Sequence, residues 1–258
     1  MPNFAPTRNG APTDTLPVMR YDREARQPGL DLMRWGLIPF WAKDIKISYP
    51  TINAMAETVE TKPAFREAFR RRRCLLPVDN FYEWEKIGKE RQPYAIALAD
   101  RGIMALAGLW EMWRSPTGET VRSFTVITTE PNEIMRASIH NRMPVILDPA
   151  SWPIWLGEEP ANDLKALLAP YSATGMTSWP VSKRVGNVRN NDPDLVEPIK
   201  GFASWSLAFP VPPSPVDPSL DPNSPGLPII RRDQTARQPS CRPHKHSLFG
   251  MEGDKAGR

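Results

Sequence analysis

Three polar residues interrupt stretches that are otherwise apolar or aromatic: Asn53 in "TINAMAET", Glu83 in "NFYEWEK" and His140 in "SIHNRMPVIL". A carboxylate and an imidazole are proton carriers, the imidazole with a reference pKa near 6.5, and a carboxamide offers both a donor and an acceptor. Glu83 lies between Tyr82 and Trp84, so on a strand its carboxylate points away from both rings, inward or into a cleft. His140 is the one histidine outside the C-terminal tail. Each residue also has a purely structural reading. Asn53 suits a turn cap, Glu83 an exposed strand position paired with Lys86 or Lys89, and His140 a buried neutral ring satisfied by a carbonyl. The common catalytic signatures do not help, because there is no Gly-rich phosphate loop, no Gly-x-Ser-x-Gly elbow and no His-Glu-x-x-His pair. Cys74 heads an apolar run and Cys241 lies in a polar stretch, which makes neither a disulfide framework nor a zinc site. No metal and no cofactor is expected.

The elements that must position these residues read as short strands. "LPVMRYD", "LDLMRWGLIP", "CLLPV", "PYAIALA", "IMALAGLW" and "SFTVITTE" are apolar runs separated by Gly, Asp or Pro. Short helices are expected from about Pro63, over "EPNEIMRAS", and over "NDLKALLAPY" after an Ala-Ser-Trp-Pro start. There is no regular βαβ rhythm, so the pattern predicts an α+β domain with a single, mainly antiparallel, curled or barrel-like sheet and short peripheral helices. At 258 residues and 40% hydrophobic content the chain can bury a core, and one domain over residues 1–205 is expected. Ten of the 30 prolines fall between Pro210 and Pro243, where no hydrophobic period survives, so residues 206–258 read as a Pro-rich disordered tail. His244 and His246 belong to that tail. No run of eighteen apolar residues and no signal-like N-terminus occurs, which points to no membrane association and a cytoplasmic location.

The formal charge is +4, a modest excess whose distribution matters more than its sum. In "KPAFREAFRRRR", Pro63 suits a first helical turn, and Phe65, Ala68, Phe69 and Arg72 share one face. Arg70 to Arg73 crowd its end. They read either as a solvated face complementing the helix dipole or as a phosphate contact.

Together, the blocks "NFAPT", "RWGLIPFWAKD", "INAMAET", "FREAFRRRRCLLPVDNFYEWEK", "QPYAIALA", "AGLWE", "FTVITTEPN", "IHNRMPVIL" and "WPVSKRVGNVRNNDPDLVEPI" run collinearly from Asn3 to Ile199. In this order they resemble the SOS response-associated peptidase family, whose members process abasic sites in single-stranded DNA. In that family an N-terminal cysteine traps the sugar aldehyde as a thiazolidine. The resemblance implies that Glu83 handles protons at the amine and in ring closure, that His140 moves a proton to or from the sugar, and that Asn53 orients the reacting group. It implies a strand-splaying wedge at Pro6, Phe40 and Trp41, with Asn3 beside the groove and Arg34, Lys62, Arg66 and Arg70 meeting phosphates. Trp35 reads equally as stacking platform or core; Trp110 and Trp113 read as core. The implied partner is single-stranded DNA containing abasic sites, bound by a monomer that is nucleoid-associated when on DNA. The family's covalent crosslinking, autoproteolytic and lyase activities come with the same resemblance.

The sequence departs from the family pattern in two places. It begins Met1-Pro2-Asn3 rather than Met-Cys-Gly-Arg, and Met55 stands where relatives often carry arginine. The start is expected either to be an internal methionine of a longer protein or to mark a truncation that keeps the groove and impairs the covalent step. The alternative function is a non-catalytic single-strand-binding module on the same fold. A weaker third reading is a peptidase acting through Glu83 and His140.

Overall fold

A computed structural model of the chain describes residues 5–138, 141–160, 162–199 and 247–248. The expected apolar runs form strands: β1 (Thr15–Asp22), β2 (Gln27–Trp35), β4 (Arg73–Val78), β6 (Glu90–Leu98), β7 (Met104–Arg114) and β8 (Thr120–Thr129). Five of them close a ring in the order β2-β1-β4-β7-β8, returning from β8 to β2. Four of its seams are antiparallel; the closing one is parallel, with Arg34 opposite Ser123 and Trp35 opposite Phe124. β8 carries most of the traffic. Beyond its pairing with β2 it takes up β3 (Asn53–Met55) in parallel and β9 (Met143–Pro144) antiparallel. A second sheet orders β10 (Met176–Pro180), β6, β5 (Asn80–Ile87) and the two-residue β11 (Ser247–Leu248), which runs parallel to Asn80 and Phe81. The architecture is the expected α+β curled, barrel-like sheet, with one parallel seam closing it, but the sheet is not single: β5, β6 and β10 pair in a second sheet of their own.

Alternation along the ring strands sorts side chains to two faces. Cys74, Leu76 and Val78 of β4, Met104 and Leu106 of β7, and Phe124 and Val126 of β8 join Val18, Met33 and Trp35 in one core, which also receives Phe81 and Ile96 from the second sheet. The opposite face, Leu75, Ala105, Ala107, Leu109 and Ile127, is covered by Phe69 from α1 (Arg66–Arg71), by Phe65 just before it, and by Trp155 from α3 (Trp152–Leu156). Because both faces are buried, "CLLPV" is continuously apolar rather than alternating. Gly108 lies opposite both Cys74 and Val126, and a Cβ there would come 2.9 Å from the Thr125 carbonyl oxygen and 3.0 Å from Cys74 Sγ. The ring is that tight at its centre.

Helices are shorter than their sequence patterns suggest. The amides of Phe65 and Arg66 both donate to the Lys62 carbonyl, so Pro63 sits in a turn and α1 begins only at Arg66. α2 (Glu133–Ser138) lies where expected. Over 162–171 the chain makes only a single 3-10 turn at Lys165–Leu168, started by the Asp163 carboxylate accepting from the amides of Lys165 and Ala166. The Pro-rich segment lies outside the described residues apart from β11. Among the described residues no helix is long and apolar enough to cross a membrane.

Candidate functional site

The loop after β2 is anchored at both ends. Gly36 turns the chain at φ +113°, where a Cβ would strike the Ser48 carbonyl at 2.7 Å. The Ile38 amide donates to Ser123 Oγ at 2.8 Å, Thr51 Oγ1 donates to the Leu37 carbonyl at 2.6 Å, and Trp113 Nε1 donates to the Ala42 carbonyl at 2.7 Å. Between these fixed points Phe40 and Trp41 are 56% and 48% exposed. Two large aromatic rings held in water on a rigid loop cost hydrophobic stabilisation and suit a stacking surface. Trp35, by contrast, is buried and stacks on Phe124, with its Nε1 donating to the Ile52 carbonyl. It is core. Trp113 is buried as well, and Trp110 is partly buried beneath the Arg20 guanidinium.

The Ile52 carbonyl leads straight into β3, whose parallel pairing on Val126 and Ile127 fixes the backbone of Asn53 and Ala54. Ala54 faces the helix-covered layer, so Asn53 points to the opposite side. Asn53 caps no turn: its Oδ1 is buried without a hydrogen-bond partner, an arrangement that costs about 1–3 kcal/mol unless a ligand supplies a donor. Glu83 is half-buried on β5 opposite Tyr94, and the neighbouring Tyr82 turns to the other face, into a small cluster with Ala95, Trp179 and Val181. The Tyr94 hydroxyl is pushed up to about 12, first by burial and then by its hydrogen bond with Glu85. It stays protonated beside Glu83 across the working pH range.

His140 and Asn3 lie outside the described residues. The residue two positions after His140 is nevertheless informative. Arg142 donates from Nη1 and Nη2 to the two carboxylate oxygens of Glu57 at 3.1 and 2.9 Å, and from Nε and Nη2 to the hydroxyl and carbonyl of Thr128 at 3.0 and 2.7 Å. The Arg142 hydrogen bond holds the Glu57 carboxyl below the usual carboxylate range. Thus "INAMAET", which contains Asn53, and "IHNRMP", which contains His140, are tied by one guanidinium across β8. Sequence reasoning passed over Arg142 and Glu57 because each reads alone as an ordinary surface charge, and only tertiary structure pairs residues 85 positions apart.

The expected phosphate contacts divide. Lys62, Arg66 and Arg70 are exposed, although Glu60 and Glu67 share the cleft lined by Arg66 and Arg70. Arg34 is half-buried, with Nη1 donating to the Thr13 carbonyl at 2.7 Å and Nε without a partner. Pro6 is half-buried, its carbonyl accepting from Asn191 Nδ2 at 3.2 Å. The phosphate reading fails for the end of the basic run. Arg72 is bonded to the buried Glu111 carboxylate, and Arg73 donates to the carbonyls of Trp155, Phe69 and Arg70. Both hold the outer layer together. Cys74 is fully buried, and burial pushes its thiol up. Among the described residues no group of three or more His, Cys, Asp or Glu side chains lies together as a metal site.

The fold is a closed mixed β-ring joined by a second small sheet. A family model described as SOS response associated peptidase (SRAP) matches residues 1–188, and the chain belongs to that family. It is 42% identical over 197 residues to the abasic site processing protein YoqW of Bacillus subtilis (strain 168), covering 75% of this chain and 87% of the relative. It is 33% identical over 227 residues to the abasic site processing protein HMCES of Xenopus tropicalis, covering 76% and 67%. A crystal structure of a protein from Bacteroides thetaiotaomicron superposes with a TM-score of 0.65 at 28% identity, covering 72% of this chain and 82% of that one.

Proposed function

We propose that this chain binds single-stranded DNA and acts at abasic sites, the substrate named for its relatives. The observation that carries the reading is the buried, unpartnered Oδ1 of Asn53, in a segment tied through Glu57 to Arg142, two residues after His140 in sequence. A polar group kept dry and unsatisfied is retained where a ligand completes it. An opened abasic sugar presents hydroxyl donors of the kind Asn53 lacks. In this reading Asn53 orients the sugar, Glu83 takes and returns protons at the attacking amine, and His140 moves a proton to or from the sugar in ring opening. Phe40, Trp41 and Pro6 splay the strand, and Arg34, Lys62, Arg66 and Arg70 meet its phosphates.

The alternative is a non-catalytic single-strand-binding module on the same fold, and in either case Cys74 is not the reacting thiol. A buried thiol whose pKa is raised is no nucleophile and lacks the adjacent α-amine that a thiazolidine requires. Incubating the full chain with a single-stranded oligonucleotide that carries one abasic site, and resolving the mixture on native and denaturing gels, separates the outcomes. A native shift that exceeds the shift on intact duplex supports the binding reading. A covalent adduct or strand cleavage lost in Asn53→Ala supports processing. No shift on single strands ends both.

A further inference from the structure

Six arginines among the described residues are half-buried: Arg8, Arg20, Arg34, Arg72, Arg73 and Arg142. Arg20 is bonded to Asp22 and Asp31, Arg72 to Glu111, Arg142 to Glu57, and Arg73 to three backbone carbonyls. Arg34 keeps one bond, to the Thr13 carbonyl. Like Arg34, Arg8 has an Nε buried without a partner, but its side chain lacks even the one carbonyl bond that Arg34 keeps, and no carboxylate among the described residues pairs with its guanidinium.

A charged donor shut off from water and left without an acceptor is costly, and folds keep such groups paired. The backbone of Arg8 is nonetheless firmly held. Its amide donates to Asn191 Oδ1 at 2.6 Å, its carbonyl accepts from the Tyr82 hydroxyl at 3.3 Å, and the next residue, Asn9, donates from Nδ2 to the carbonyls of Val185, Asn187 and Asn190. Tyr82 precedes Glu83 on β5, and Pro6 stands two residues before Arg8. A guanidinium whose Nε lacks an acceptor therefore extends from a firmly held backbone between the proposed wedge and the strand of the proposed proton carrier. A planar, delocalised cation of this kind matches a phosphodiester and takes it in two parallel bonds.

We infer that Arg8 is a phosphate-binding residue of the single-strand groove, completing its guanidinium with a phosphodiester of the bound DNA. The inference rests on the single-strand-binding reading above and adds a contact to it.

The test is a salt titration of the full chain with a fluorescent single-stranded oligonucleotide carrying one abasic site, comparing wild type, Arg8→Gln and Arg8→Lys, with thermal unfolding of each. Arg8→Gln should weaken binding by about five- to tenfold at low salt and flatten the log affinity against log salt slope by about 0.7, one phosphate's share on a single strand. Arg8→Lys should keep the slope and lose part of the affinity. The glutamine variant should melt no lower than wild type, since it removes an uncompensated charge. Unchanged affinity and slope in Arg8→Gln, with wild type binding normally, overturns the role of Arg8 alone. A lowered melting temperature overturns it too, because the guanidinium then bonds within the fold. Absence of binding by wild type overturns the single-strand reading and this contact with it.

Discussion

Arg142 holds Glu57 in a two-pronged bond, at 3.1 and 2.9 Å, while its remaining N–H groups close on the hydroxyl and carbonyl of Thr128. A bidentate pair fixes direction as well as distance. Glu57→Gln keeps the shape but loses the charge, and Arg142→Lys keeps the charge but loses the fork. Both are expected to reduce processing of abasic DNA more than binding to it, because the groove's aromatic loop is anchored separately through Ser123 and Trp113. Equal losses of binding and processing would assign the pair to the groove rather than to the chemistry.

The same pair sets an acid limit. The Glu57 carboxyl lies below its ordinary value of 4.5 in the folded state, chiefly through its hydrogen bond from Arg142. A depressed carboxylate contributes stability that is present above the unfolded value and fades as pH falls through the folded one. The carboxylate is 43% exposed, so solvent screens much of the gain. Melting temperatures of wild type and Glu57→Gln should differ most near neutrality and converge as the pH falls from 4.5 through the folded value. Parallel curves over that range would show that the bond is not felt by folding.

Glu111 behaves in the opposite sense. It is buried, and desolvation raises its pKa despite the Arg72 guanidinium bonded to it. Removing the cation in Arg72→Met leaves a buried carboxylate unpaired, at a cost of about 3–5 kcal/mol near neutral pH. A raised folded pKa means that protonation favours the fold, so stability falls as pH climbs from the unfolded value through the folded one. The melting deficit of the variant should therefore shrink as pH is lowered toward 4.5. A deficit that stays constant with pH would trace to lost packing of the arginine stem instead.

How much of this was legible beforehand follows from which interactions are local. Apolar runs and their breaks predict β1, β2, β4, β6, β7 and β8, because a strand buried on one or both faces must be written in consecutive residues. The strand β3 carries no such mark. Three residues, Asn53 to Met55, become a strand only because β8 offers an edge beyond the end of β2. β10 likewise depends on pairing with β6 across residues far apart in the chain. The basic run after Glu67 misleads for the same reason. Nothing in "RRRR" distinguishes exposed Arg70 and Arg71 from Arg72, bonded to Glu111, or from Arg73, bonded to backbone carbonyls near α3.

Gly108 provides a test of how tightly the ring is drawn. Its backbone lies between β4 and β8, so Gly108→Ala forces a methyl against the Thr125 carbonyl at 2.9 Å and Cys74 Sγ at 3.0 Å. The loss should be about 1–3 kcal/mol, as for overpacked cores. Cys74→Ala removes one of the two obstacles and should restore part of the loss in the double variant. Additive losses would show that the carbonyl alone sets the limit.

The exposed aromatic loop yields the sharpest separation of binding from stability. Phe40 and Trp41 stand in solvent between the anchors at Ile38 and Ala42. Replacing both by alanine removes only the covered half of each ring, so the melting temperature should fall far less than on removal of a fully buried ring. If each ring supports one base, the variant should lose about 1–3 kcal/mol of single-strand affinity per ring, without a change in salt slope, because stacking releases no counterions. Charge reversal at Arg66 and Arg70 should do the reverse and flatten the slope, with a smaller loss of affinity, since Glu60 and Glu67 already offset that cleft. Trp35→Ala serves as the control. That ring is buried against Phe124 and should cost about 3–5 kcal/mol of stability. Should the Phe40 and Trp41 double variant bind single strands as tightly as wild type, the loop is not the stacking platform, and the groove must be sought on another face of the ring.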